Sequence, residues 1–405
     1  MGDSLLTPAL EEGLARLGSA MPFARATQVV ELFTGTRVSA STLRRRTQAA
    51  GAALVEADAS EVDRLEREVP EAPAPDGPRL QLSVDGAMVP VVGPEWVEVK
   101  TVAIGVVGER THKDGSRQAV TDQLSYFSRV AEAERFTRLA LVEVHRRGVE
   151  RASDVCAVND GAVWIDGFVD MHRPDAVRIL DFPHGAEAVS DVAKAAYGEG
   201  SPKARRWFDT QRRELLEGDP QRVLTSMQRA RRRAVARGEA AEEQVRRSRS
   251  YLMERRERIG YAAFSAAGYP IGSGAVESAN KIVVEARLKG AGMHWARGNL
   301  NAMLTLTNAV ANGRWEEAWG RAVAGRQARL QGRSRERAAR ARVRRAPSPA
   351  PPMQVEPRAP ASPSPKPTPP PKRGQHRPAP DHPWQVPFSI KRRIEKARLA
   401  STPKP

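Results

Sequence analysis

Around residues 71–80 the chain changes its hydrophobic period, and that change restricts what it can fold into. Upstream, PFARATQVVELFTG (22–35) carries apolar residues at helical spacing and ends on a glycine. Glu71-Ala-Pro-Ala-Pro-Asp-Gly-Pro78 is a linker by composition. Beyond it LQLSVDGAMVPVV, WVEVKTVAIGVVG and TDQLSYFSRV alternate, are rich in Val and Ile, and are parted by Gly, Pro and polar turns, which predicts three strands. ERFTRLALVEVHRRG then predicts a helix, and SDVCAVNDGAVWI a buried strand running into a turn. AVRILDF predicts a short strand and HGAEAVSDVAKAAYG a helix. The order βββαβαβα is a mixed α/β layout around one sheet.

The flanking regions differ in character. Residues 1–75 predict short helices, and the Gly35 turn before SASTLRRRTQAAG, with Ser39 or Ser41 as N-cap, outlines a helix-turn-helix. An ordinary helical hairpin with solvated Arg44, Arg45 and Arg46 has the same outline. Residues 201–268 predict long basic helices, an all-α insertion that interrupts a domain formed by 78–200 and 269–322. From 323 to 405 the chain is basic and then Pro-rich. It holds 18 of the 31 prolines after residue 346, so a largely disordered tail with polyproline II character is expected. Within it, Asp381 to Phe388 forms a short apolar island around Trp384.

Lys and Arg total 65 against 48 Asp and Glu, a net charge of +17 that suits a polyanionic partner, although part of it lies in the tail. One cysteine, Cys156, excludes an intrachain disulfide framework and reads as core. No apolar run reaches membrane-spanning length and no secretion signal is visible, so a cytoplasmic, nucleoid-associated protein with no membrane partner is expected.

Three carboxylates stand where phosphodiester chemistry needs hard oxygen ligands. Asp85 ends the apolar run Leu82-Ser83-Val84, Asp160 follows the strand Val155–Val158, and Glu277 opens a helix after Gly272-Ser273-Gly274. Each alone is weak, because Asp-Gly is a common turn. Ser273 with His184 lacks a nucleophile-elbow context, and Gly272 and Gly274 are better suited to a close backbone approach.

Together SVDGAMVP, VNDGAVWI, ILDFPHGAEAV and PIGSGAVESANKIVVEARLKGAGMHW resemble DDE-type bacterial insertion-sequence transposases of the ISKra type, over about residues 78–320. The resemblance implies a ribonuclease H-like catalytic domain whose triad, here Asp85, Asp160 and Glu277, binds two Mg²⁺ or Mn²⁺ ions. It implies DNA partners, the element's terminal inverted repeats and target DNA, and a homo-oligomer in the synaptic complex. Asp181 and His184 fit a D-x-x-H string found between the second and third acids, with His184 supporting the site or contacting phosphate. Glu277, Lys281 and Glu285 recur every four residues on one predicted helix face. Lys281 and Lys289 would hold phosphate, and Arg287, His294 and Trp295 would contact DNA, beside Arg44, Arg45 and Arg46 from the N-terminal helices. Asp166, with Asp170 and Asp175 nearby, departs from the family pattern as an extra acid. Two other readings stay open: a ribonuclease H-like nuclease or resolvase without strand transfer, and a domesticated DNA-binding protein.

Overall fold

Three antiparallel strands and two parallel ones make a single sheet, and helices cover both of its faces and one of its edges. The computed structural model describes residues 6–345. Its elements run α1 (Pro8–Ala20), α2 (Phe23–Thr34), α3 (Ala40–Glu68), β1 (Arg79–Pro90), β2 (Trp96–Thr111), β3 (Arg117–Arg129), α4 (Ala133–Arg146), β4 (Asp154–Asn159), α5 (Val163–His172) and β5 (Val177–Leu180). Then follow α6 (Phe182–Tyr197), α7 (Pro202–Glu217), α8 (Pro220–Val235), α9 (Glu239–Glu254), α10 (Tyr261–Ala266), α11 (Gly274–Ala279), a π-helical turn (Asn280–Glu285), α12 (Ala286–Leu288), α13 (Arg297–Ala311) and α14 (Trp315–Arg345). The chain is thus a mixed α/β protein, mostly helical, with one five-stranded mixed sheet.

The strand order is β3-β2-β1-β4-β5; β1 pairs antiparallel with β2 and parallel with β4, and β4 pairs parallel with β5. β1 is buried along most of its length, polar Gln81 and Ser83 included, because both of its faces are covered. One face packs Leu80, Leu82, Val84 and Val102 against Phe136 of α4 and Phe168 of α5. The 155–158 strand packs on its other side with α6 to α9, where Val158, Val189, Met227 and Leu252 share a core. Cys156 is fully buried there, as expected, and burial pushes its thiol up to about 12. The strand runs into a turn at Gly161 as expected, but Trp164 and Ile165, expected to belong to that turn, lie in the first turn of α5.

The N-terminal helices follow the predicted outline up to a point. Ser39 caps α3 by accepting the Thr42 amide, and Gly35 ends α2 at φ 66°. α3 does not stop at Gly51 but runs 29 residues to Glu68. Gly51 lies against α13, where a Cβ would sit 2.0 Å from the Ala302 carbonyl oxygen. The glycine is there for helix–helix approach and not as a terminator. Asp58 of α3 joins the buried Arg129 of β3 and Arg321 of α14, so both ends of the described chain grip the sheet. Residues 323–345, expected as the start of the tail, are helical: they continue α14, and Arg326 and Arg329 pair with Glu11 and Glu56. Residues 346–405, with the Trp384 island, lie outside the described residues.

Candidate active site

The parallel register between β1 and β4 brings the first two acids together. Leu82 pairs with Ala157, and Asp85 and Asp160 each lie three residues further on, Asp85 midway along β1 where its pairing with β4 has ended and Asp160 just beyond the end of β4. β4 stops first, and Asn159 bridges the gap: its Oδ1 accepts the Val84 amide at 2.6 Å. Ser83 donates to the Val158 carbonyl at 2.7 Å, which fixes the same junction from the strand's other side. The third acid comes from the segment 274–288, whose first helix packs against β1 and β2. Glu277 is exposed there, and Asp85 and Asp160 are half-buried.

Electrostatics ties the three into one site. Burial lifts the Asp85 carboxyl above its usual range; the Gly86 amide opposes this, the charge of Asp160 adds to it, His184 opposes it and Glu277 adds to it again. Asp85 has both oxygens engaged, Oδ1 by the Gly86 amide at 2.7 Å and Oδ2 by the Asn280 side-chain amide at 2.8 Å. Asp160 Oδ1 accepts the Ala162 amide at 2.8 Å, which shapes the turn at Gly161. That turn has φ 82°, and a Cβ would meet Arg255 Nε at 2.5 Å, so only glycine fits.

Two residues at the end of the helical stretch α7 to α9 hold the turn that carries Asp160. Tyr251 donates its hydroxyl to the Asp160 carbonyl at 2.6 Å, and Arg255 donates to the Gly161 carbonyl at 2.8 Å. Neither was singled out from sequence, because α9 lies some ninety positions away and carries no motif of its own. Asn280 was missed for a related reason. It sits in a π-helical turn, a feature over-represented at functional sites, and nothing in NKIVVE marks the widened turn.

Asp181 and His184 form a pair, as their spacing suggests. His184 Nδ1 lies 2.8 Å from Asp181 Oδ2, and Asp181 Oδ1 accepts the Ser273 amide at 2.9 Å. The fully buried Asp181 thereby joins the start of α6 to the loop before Glu277. Its hydrogen bond holds the His184 imidazolium above its ordinary range, against desolvation and with help from Asp160.

Other predicted residues stand elsewhere. Trp295 is 6% exposed and donates its indole N–H to the Leu288 carbonyl at 3.1 Å, so it is core and not a surface platform for a base. Arg287 is 3% exposed between Phe23 and Trp295, out of reach of a duplex backbone. Arg46 is taken up by Glu11 at 2.9 Å and holds α3 to α1. Arg44, Arg45 and His294 are exposed. Lys281 is exposed, whereas Lys289 pairs with Glu285 at 2.8 Å. The π-turn breaks the four-residue stacking expected of Glu277, Lys281 and Glu285. The extra acids are neutralised by structural pairs: Asp166 by Arg178 and Arg258, Asp170 by Arg178, and Asp175 by Arg173.

Among the described residues no three His, Cys, Asp or Glu side chains close into a formed metal-binding group. The donor set nevertheless suits a hard divalent cation: three carboxylates come from three elements, and Asp160 and Glu277 are near enough to Asp85 for their charges to raise its carboxyl. No helix among the described residues is long and apolar enough to cross a membrane. No protein-family model and no curated protein matches the chain.

Proposed function

We propose that this chain is a DDE-type transposase that cuts DNA at the ends of an insertion sequence and joins the freed ends to target DNA. The observation that carries the reading is the register that sets Asp85 of β1 beside Asp160 just past the end of β4, with the Asp85 carboxyl raised by the charges of Asp160 and of Glu277 on α11. Support for a ribonuclease H-like domain comes from the β3-β2-β1-β4-β5 order, with the first three strands antiparallel and the last two parallel to β1. The helices α7 to α9 fall between the second and third acids, where the resemblance puts an insertion.

Asp85, Asp160 and Glu277 would hold Mg²⁺ or Mn²⁺, which when bound supplies positive charge at the scissile phosphate and makes water a stronger nucleophile. The chain's own residues do the positioning. Asn280 and the Gly86 amide orient the Asp85 carboxylate, Tyr251 and Arg255 fix the Asp160 turn, and Asp181 anchors the loop that presents Glu277. His184, partly exposed and biased toward its charged form, faces the site as a cation for a phosphate oxygen. Arg44 and Arg45 offer exposed charge for DNA.

The test is cleavage and joining of DNA bearing the element's ends by the purified protein with Mg²⁺. Asp85→Asn, Asp160→Asn and Glu277→Gln should each abolish both reactions and spare DNA binding. Near-normal cutting by any of these variants removes that residue from the triad. Cut ends without joined product leave a nuclease in place of a transposase.

A further inference from the structure

We infer that the cleft between the β2–β3 ribbon and residues 269–278 holds the backbone of a DNA duplex, with Arg110 and Arg117 gripping its phosphates. The inference rests on the proposed action on DNA, and it adds two arginines that the resemblance does not name.

The ribbon comes from unequal strand lengths. Pairing of β1 with β2 ends at Leu80 and Val106, whereas β2 and β3 stay paired as far as Thr111 and Arg117. Residues 108–118 are all exposed, so this extension stands clear of the sheet and builds no core of its own. A lone two-stranded ribbon is marginal in water, and this one persists because it continues a larger sheet. What it presents is charge: Arg110, Lys113 and Arg117 against Glu109 and Asp114. Asp114 accepts the Ser116 hydroxyl at 2.6 Å. Glu109 lies 3.5 Å from Arg117 in a pair exposed on both sides, which is weak and easily exchanged for a phosphate. Arg110 has no carboxylate partner among the described residues.

The cleft beside the ribbon has a volume of about 550 Å³. Arg110 and Arg117 line it on the ribbon side, and Asp122 is the single acid among its lining residues. On the other side it is lined by Gly274 and Ser278, which flank Glu277, and by Phe182 and Pro183, which precede His184. Its floor includes Gln81, four residues before Asp85 and therefore on the same face of β1. Gln81 is buried; its Oε1 accepts the Thr121 hydroxyl of β3, and its Nε2 donates to Ser83 Oγ at 2.9 Å and to the Gly272 carbonyl at 3.3 Å. One amide thus fixes the ribbon and the loop before Glu277 to the strand that carries Asp85. No atom lies within 4 Å of a Cβ built on Gly274, so the wall is open at that point.

The dimensions fit a duplex. Asp85 pairs with Thr101, and Arg110 lies nine positions further along β2. At ~3.3 Å per residue the separation is roughly 30 Å, the rise of roughly nine base pairs at ~3.4 Å each. DNA cut at the acids therefore reaches both arginines within one helical turn. A two-stranded β-ribbon also matches the width of a major groove.

Fluorescence anisotropy across a salt series, with a labelled mixed-sequence duplex of about two helical turns, tests this on the full chain. EDTA is present so that nothing is cut. Arg110→Ala/Arg117→Ala should weaken binding by about tenfold or more at low salt, and should reduce the slope of log K against log salt by about two, one for each lost phosphate contact. Gly274→Val adds no charge and should weaken binding by about threefold or more, because its side chain stands in the path of the backbone. Should that variant fail to fold, Ser278→Tyr fills the same wall from one turn further along α11. Wild-type affinity and slope in the arginine variant mean a merely solvated ribbon and overturn the inference. An arginine effect without any effect of the filling variant puts the DNA elsewhere on the ribbon and overturns the cleft. Binding through the cleft without cleavage leaves this inference standing and removes the transposase. Cleavage that ignores Arg110 and Arg117 does the reverse.

Discussion

Asn280 donates its side-chain amide to Asp85 Oδ2 at 2.8 Å, linking residues 195 positions apart. Asn280 is buried and comes from the π-helical turn, so the widened turn places it against Asp85, midway along β1. The bond favours the ionised carboxylate in a setting where burial and two neighbouring acids oppose ionisation.

Removing that donor should push Asp85 further upward. Asn280→Ala is expected to lower cleavage by about 10–100-fold, the usual range for residues that orient a metal ligand. It should also move the acidic limb of the pH–rate profile to higher pH, because more alkaline solution is then needed to ionise Asp85. A profile of unchanged shape would assign Asn280 to packing alone.

The same raised carboxyl makes a stability prediction with a definite sign. A folded-state value above the unfolded one means that Asp85 favours the fold below the unfolded value, near 3.8, and that this contribution is lost as pH rises through the folded value. Without divalent cations, Asp85→Asn should therefore melt higher than wild type at pH 7, with the gain shrinking below about pH 4. Mg²⁺ should raise the wild-type melting temperature and not that of the variant. A lower melting temperature for Asp85→Asn at pH 7 would contradict the electrostatic account.

The strands and helices of this chain were legible because period and punctuation are local. LQLSVDGAMVP alternates, and KARRWFDTQRRELLEG repeats at helical spacing. Asp85 and Asp160 stand out because each follows an apolar run and precedes a glycine, whereas Glu277 was picked out with them only through the resemblance. Exposure was not legible. Arg46, Arg287 and Trp295 resemble surface DNA contacts in composition, yet partners 35, 269 and 7 positions away engage them inside the fold. Gly51 lies inside α3, and only the approach of α13 gives the glycine its role. Long-range partners of this kind decide burial, and one sequence does not display them.

Asp181 and His184 provide a pH-dependent test. Asp181 raises His184, so their pair contributes stability that is complete below about pH 6.5 and lost as pH rises through the higher folded value. Asp181→Asn should bring the His184 titration, followed by NMR, down toward or below 6.5. It should also lower stability by about 1–3 kcal/mol, because it disturbs the buried acceptor of the Ser273 amide. His184→Gln should spare that anchor and lose activity more than stability. An unshifted His184 in Asp181→Asn would mean that another group sets its charge.

The helices α7 to α9 should matter to chemistry through two hydrogen bonds. Tyr251 of α9 and Arg255, which follows it, hold the carbonyls of Asp160 and Gly161, the turn that aims Asp160. Tyr251→Phe removes one hydroxyl and leaves the ring, beside which the Arg255 guanidinium stacks at 4.2 Å. Loss of one such bond is worth about 0.5–1.5 kcal/mol, so the fold should survive. Catalysis is more exacting, because a displacement of Asp160 by a fraction of an ångström disturbs a site built from three separate elements. The expected outcome is a fall in kcat of about 10–100-fold with little change in KM or in DNA affinity. Arg255→Ala should do more, since it frees the Gly161 carbonyl and opens space beside the turn. Single-turnover cleavage together with binding isotherms would check both variants. A rise in KM at constant kcat would instead place Tyr251 and Arg255 in DNA binding, and these helices would then act as a clamp on substrate and not as a brace for Asp160.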